Sequence, residues 1–131
     1  MIANGTGIAP FLGMIDENKR CVDTHLYWGI RTDATYHVYK SHLEKGLETK
    51  QLSNLNMVYS QQGRKEYVQE AINRDSVFIA KTLQNKGIIM LCGSLAMQKE
   101  VLSILEHISV EFNKTPLSHY INNHQIKMDC Y

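Results

Sequence analysis

The sequence predicts an α/β domain built on a parallel sheet with helices on both faces. Three observations lead there. Short apolar or β-branched runs alternate with amphipathic segments of helical period along the whole chain, the signature of strand and helix in turn. One run, Gly87 to Cys92, is nearly continuous in apolar residues, as in strands covered on both sides. The opening stretch, Met1 to Met14, places a short apolar run before Gly5-Thr6-Gly7 and then an apolar segment opened by Pro10. That is a strand, a tight turn and a helix start, since glycine tolerates positive φ and proline suits the beginning of a helix.

The turn comes first in chain order and sets the expected chemistry. Its amide groups and the positive end of the following helix face one point, where an anion such as a diphosphate sits well. Pro10 is expected at the first helical position of a segment reaching about Asn18, with Phe11, Leu12, Met14 and Ile15 at helical spacing. Thr24 to Ile30 is aromatic and β-branched and reads as a buried strand. Arg31-Thr32-Asp33 forms a loop in which Thr32 or Asp33 is the candidate N-cap. Tyr36 to about Glu48 follows as an amphipathic helix, and Leu52 to Tyr59 as a strand ending in the polar loop Ser60 to Lys65.

Tyr67 to Lys86 is helical in composition, and Asp75-Ser76 is expected to break it in two, one of them capping the second piece. After the Gly87 to Cys92 strand and Gly93-Ser94, Ala96 to Phe112 is a strong helix with Val101, Leu102, Leu105, Ile108 and Phe112 recurring at three and four. Thr115-Pro116 reads as a cap and a first-turn proline for a last short helix from Leu117. Gln125 to Tyr131 alternates as a final strand. In parallel sheets ligands gather at the carboxyl ends of the strands. Gly5 to Gly7, Gly29 to Arg31, Ser60 to Lys65 and Gly93 to Ser94 all fall on that edge.

The 131 residues make one domain with no repeats, linkers or low-complexity tracts. A charged fraction of 21% and a formal net charge of +1 supply no basic field for nucleic acid. No apolar run approaches a membrane span, so direct membrane insertion is not expected. The three cysteines, Cys21, Cys92 and Cys130, lack paired spacing, which points to a reducing, cytoplasmic setting without disulfides. The six histidines show no metal-ligand spacing. Only Met1 to Ala3 precede the turn, although a strand feeding such a turn is usually central. The expectation is therefore a C-terminal piece of a longer protein, with a naturally stunted first strand as the alternative.

The ordered set G-T-G-I-A-P-F, Y-W-G-I-R, Y-S-x-x-x-R-K-E-Y-V-Q, L-C-G-S-x-x-M and D-C-Y resembles the NADP-binding domain of the ferredoxin-NADP reductase family, in particular the branch of sulfite reductase flavoproteins and cytochrome P450 reductases. The resemblance covers nearly the whole chain and implies a three-layer Rossmann-like fold. It implies a domain that binds NADPH and presents the nicotinamide to FAD held by a preceding β-barrel domain, from which electrons pass to a redox acceptor protein or domain. Isolated, the chain would then be inactive.

By the same resemblance Gly5, Thr6, Gly7 and Pro10 line the diphosphate and nicotinamide ribose, and Arg31 pairs with a phosphate, as a guanidinium is suited to do. Ser60, Lys65 and Tyr67 sit where the family holds the adenosine 2′-phosphate and adenine, with Gln69 nearby. Here the chain departs from the pattern: Gln61 stands where an arginine is usual, and Arg64 is the candidate replacement. NADPH is the expected cofactor and NADH the alternative. Cys92 and Gly93 correspond to the cysteine-glycine pair beside the nicotinamide, the thiol acting as a polarisable wall, while Ser94 replaces the usual aspartate. Asp129 and Tyr131 correspond to the carboxylate that assists hydride transfer and the aromatic that covers the flavin. A redox-sensing module without turnover and a structural remnant without ligand are the readings from other classes.

Overall fold

The computed structural model describes residues 1–131. Five strands, β1 (Ile2–Asn4), β2 (His25–Ile30), β3 (Asn54–Tyr59), β4 (Ile89–Gly93) and β5 (Ile126–Cys130), form one sheet in the order β3-β2-β1-β4-β5, every pair parallel. Between them run α1 (Ala9–Glu17), α2 (Asp33–Glu48), α3 (Val68–Arg74), α4 (Ser76–Gln84), α5 (Leu95–Asn113) and α6 (Leu117–Asn122). None of these helices is long and apolar enough to cross a membrane.

Strand alternation builds the two halves of the core. Ala3, Leu26, Trp28, Ile30 and Cys92 point to the face covered by α1 and α2, where they meet Phe11, Ile15 and Leu43. Ile2, Tyr27, Val58, Ile89 and Leu91 point to the other face, against α3 to α6. Strand β1 has three residues yet pairs on both sides, Ile2 lying beside Tyr27 and Leu91. Short as it is, it is central to the core, with Ile2 and Ala3 fully buried. After β3 the chain crosses back over β1 to lay down β4, so the reversal of strand order lies between β1 and β4. A ligand crevice is expected just outside the carboxyl ends there.

The expected break at Asp75 is present, but its physical role differs. Asp75 precedes α4 without a side-chain cap; its carboxylate instead accepts a 2.7 Å hydrogen bond from the Tyr27 hydroxyl. Burial, and then Asp75, push the Tyr27 phenol well above its usual range. Tyr27→Phe is expected to cost about 1.5–3 kcal/mol, the range for a hydrogen bond to a charged group. Because the folded phenol titrates above the unfolded one, this contribution is complete below about pH 10 and is lost as pH climbs from there through the folded value. Urea midpoints at pH 7 and above pH 10 check this, the gap between wild type and variant narrowing at the higher pH.

Three sequence expectations are corrected. Helix α2 begins at Asp33, three residues before Tyr36, and neither candidate residue caps it with its side chain. The Gln62 side-chain oxygen accepts the Asp33 N–H at 2.8 Å. Pro116 is the residue before α6, not its first, and the Thr115 hydroxyl turns back to the Asn113 carbonyl. The α6 N-terminus is served from α5, where the Glu106 carboxylate accepts the Leu117 N–H at 2.8 Å.

Candidate functional site

Strand β1 ends on Asn4 and the chain turns through Gly5 to Ile8 in one 3-10 turn before α1. Pro10 stands second in that helix rather than first, behind Ala9. The turn is pressed against the end of β4: a Cβ on Gly7 would lie 2.2 Å from the Cys92 carbonyl oxygen. Gly93, at φ 151°, is equally constrained, since a Cβ there would meet the Asn4 side-chain oxygen at 2.0 Å. On the other side the Trp28 indole N–H donates to the Gly5 carbonyl at 2.9 Å. A buried tryptophan needs such an acceptor, and here it fixes the start of the turn.

Asn4 and Ser94 hold each other across the reversal point. The Ser94 N–H donates to the Asn4 Oδ1 at 2.9 Å, and the Asn4 Nδ2 donates to the Ser94 Oγ at 3.1 Å. The same hydroxyl caps α5 by accepting the Met97 N–H at 3.2 Å. Ser94 therefore caps α5 without carrying a charge.

Two hollows open at this edge. The larger, about 360 Å³, is lined by Asn4, Gly5, Thr6, Gly29, Arg31, Ser60, Glu66, Tyr67, Gln69, Ser94 and Tyr131 among others. Eight residues singled out from sequence thus meet along one cleft, from Ser60 and Tyr67 at the β3 end to Ser94 and Tyr131 at the β4 end. Arg31 is the one basic residue among its lining, and it makes no ion pair. The Glu66 carboxylate is held by Arg74, and the Gln69 amide donates to Glu100. Arg64 and Lys65 are exposed on the loop between Ser60 and Glu66 and do not line the cleft.

The smaller hollow, about 230 Å³, is mainly apolar and gathers Pro10, Cys92 and Asp129 with Phe11, Met14 and Met128. Gly7 and Gly93 are buried and tie the ends of β1 and β4 together. Tyr131 lines the larger cleft, its hydroxyl 2.7 Å from that of Thr6 and its main chain bonded to Gly93 and Leu95. The three residues expected to serve the chemistry are therefore divided, Cys92 and Asp129 on one hollow and Tyr131 on the other. Alternation along β4 sends Cys92 to the α1 side.

Burial, and then the nearby Asp129 and Cys130, push the Cys92 thiol up, so it stays protonated at neutral pH and is a poor nucleophile. Iodoacetamide followed by mass spectrometry is expected to modify exposed Cys21 first and Cys92 last, with Cys92 still slow at pH 8.5. Equal rates at the two positions would contradict a closed, protonated Cys92.

A glycine turn at the reversal point of a parallel sheet, an adjoining helix start, an unpaired arginine and an open aromatic ring define a nucleotide-binding α/β domain. Residues 1–103 match the family described as oxidoreductase NAD-binding domain, and the chain belongs to that family. It is 33% identical over 129 residues to a NADPH–cytochrome P450 reductase of Rattus norvegicus, covering 91% of this chain and 19% of that protein. The reductase of Drosophila melanogaster is 36% identical over 118 residues, 82% of this chain and 17% of the relative. The chain thus spans about a fifth of the length of these relatives.

Asn4, Trp28 and Glu66 were not singled out from sequence. Trp28 left a signal, because its indole N–H in a buried strand required an acceptor. Asn4 left none, since its partner is 90 residues away.

Proposed function

We propose that residues 1–131 are the NADPH-binding half of a flavoprotein reductase, the C-terminal fragment of a chain whose FAD-binding β-barrel precedes it. The observation that carries this is the cleft from Tyr67 to Tyr131 along the carboxyl edge, with Gly5 and Thr6 of the glycine turn in its lining. The residues fit a dinucleotide: a Cβ on Gly5 would meet nothing within 4 Å, so the main chain is open to a close-lying phosphate, and Arg31 is free to pair with it. Tyr67, 58% exposed, offers a ring face to adenine.

In this reading Gly5, Thr6 and Gly7 bind the diphosphate through main-chain N–H groups and the Thr6 hydroxyl. Arg31 supplies the positive charge, and Ser60, Arg64 and Lys65 gather the 2′-phosphate at the loop. Gln69, tethered to Glu100, keeps its oxygen for the adenosine end. Cys92 and Asp129 bound the apolar hollow that receives the nicotinamide ring, Cys92 as an uncharged wall and Asp129 as a carboxylate nearby. Tyr131 releases Thr6 and shields the flavin edge from water. When bound, the nicotinamide supplies a hydride and FAD accepts it, while the protein orients the two. The partners are the FAD-binding domain and a redox acceptor protein or domain.

One observation favours NADH as a second reading: Arg64 and Lys65 stand outside the cleft lining, leaving Arg31 as its single cation. Titration calorimetry with NADPH, NADP and NADH tests both. Tighter binding of the 2′-phosphorylated forms is expected; tighter NADH binding would support the second reading, and flat traces with a folded chain would overturn both.

A further inference from the structure

Asn4 stands at the point where strand order reverses, immediately before the glycine turn, and lines the main cleft together with Thr6 and Ser94. Its carboxamide is used twice, accepting from the Ser94 N–H and donating to the Ser94 hydroxyl. It also lies against Gly93 so closely that a Cβ there has no room. The last residue of β1 and the residue before α5 are thereby locked together. No acidic side chain occupies the first turn of that 19-residue helix; its first N–H groups are served by the Tyr131 main-chain oxygen, which accepts from Leu95 at 3.1 Å, and by the Ser94 hydroxyl, which accepts from Met97 at 3.2 Å.

We propose that Asn4 is a positioning residue for the diphosphate and nicotinamide half of the ligand. It fixes the spacing between the glycine turn and the α5 N-terminus, and it does so with a neutral group that adds no negative charge beside the turn. This inference rests on the cleft being a dinucleotide site. An aspartate in place of Asn4 can keep the geometry. Its carboxylate still accepts the Ser94 N–H, and the Ser94 hydroxyl can turn to donate to the second oxygen while accepting from Met97. Only the charge changes, and like charges at short range repel strongly in a partly enclosed site.

The test compares NADP with 2′-AMP, which reaches only the Ser60 and Tyr67 end, on wild type, Asn4→Asp and Asn4→Ala. Asn4→Asp is expected to melt within a few degrees of wild type, to bind NADP about ten-fold or more weakly, and to bind 2′-AMP as wild type does. Raising salt from 50 to 500 mM should shrink the NADP deficit. Asn4→Ala, which releases Ser94 without adding charge, is expected to weaken NADP several-fold with no such salt dependence. Wild-type affinity for NADP in Asn4→Asp, or equal weakening of both ligands, would overturn the role given to Asn4 while leaving the cleft intact. Failure of wild type to bind either ligand would overturn the cleft as well.

Discussion

Gly7→Ala is expected to destabilise the chain by about 3 kcal/mol or more, which for a domain of this size lowers the melting temperature by about 10 °C or more. The added methyl group would stand 2.2 Å from the Cys92 carbonyl oxygen and 2.8 Å from the Gly93 Cα. Both obstacles are main chain, so no side chain can rotate away. Relief requires the turn to part from the end of β4, which would disturb the pairing of Ile2 and Ala3 with Leu91 and Cys92. Because β1 is three residues long, it has little pairing to spare. Circular dichroism melting of wild type against the variant checks this; Gly13→Ala, where the added Cβ meets nothing within 4 Å, is the control and is expected to melt at or slightly above wild type.

Arg31→Ala is expected to weaken NADPH binding by about 10- to 150-fold, since a charge-assisted hydrogen bond is worth roughly 1.5–3 kcal/mol. The effect should be large because Arg31 is the single cation lining the cleft and no carboxylate holds it elsewhere. Arg31→Lys should recover part of the loss, as a point charge lacks the planar fork of donors. The fold should be untouched, the side chain being exposed. Calorimetric titration of the three proteins at fixed salt gives the comparison, and an Arg31→Ala affinity within two-fold of wild type would remove Arg31 from the site.

Local pattern made much of this architecture legible before any coordinates. The apolar run from Gly87, the aromatic run at Leu26 to Trp28 and the helical spacing from Val101 to Ile108 each mark an element, because burial on one or two faces imposes a period on the chain. The glycine turn, Arg31 and Ser60 could be placed on one edge because parallel strands all end on the same side. What sequence did not reveal depends on long-range pairing. The Asn4 and Ser94 clasp and the contact of Tyr131 with Thr6 join residues 90 and 125 apart. The cap of α6 comes from Glu106 on another helix, so reading Thr115 and Pro116 locally misassigned it. The division of Asp129 from Tyr131 runs against simple alternation, which puts residues two apart on one face; Tyr131 lies beyond β5 and is placed by its main-chain bonds to Gly93 and Leu95 and its contact with Thr6, long-range partners that motif order does not encode.

The central claim is that loops from separate strands form one dinucleotide cleft. Titrating the 15N-labelled chain with NADP and following amide resonances tests it most directly. Gly5, Thr6, Arg31, Ser60, Tyr67 and Ser94 are expected to shift together along one saturable curve, with α4 and α6 unmoved. Shifts confined to α4 and α6, or a folded chain whose spectrum does not change at all, would contradict it.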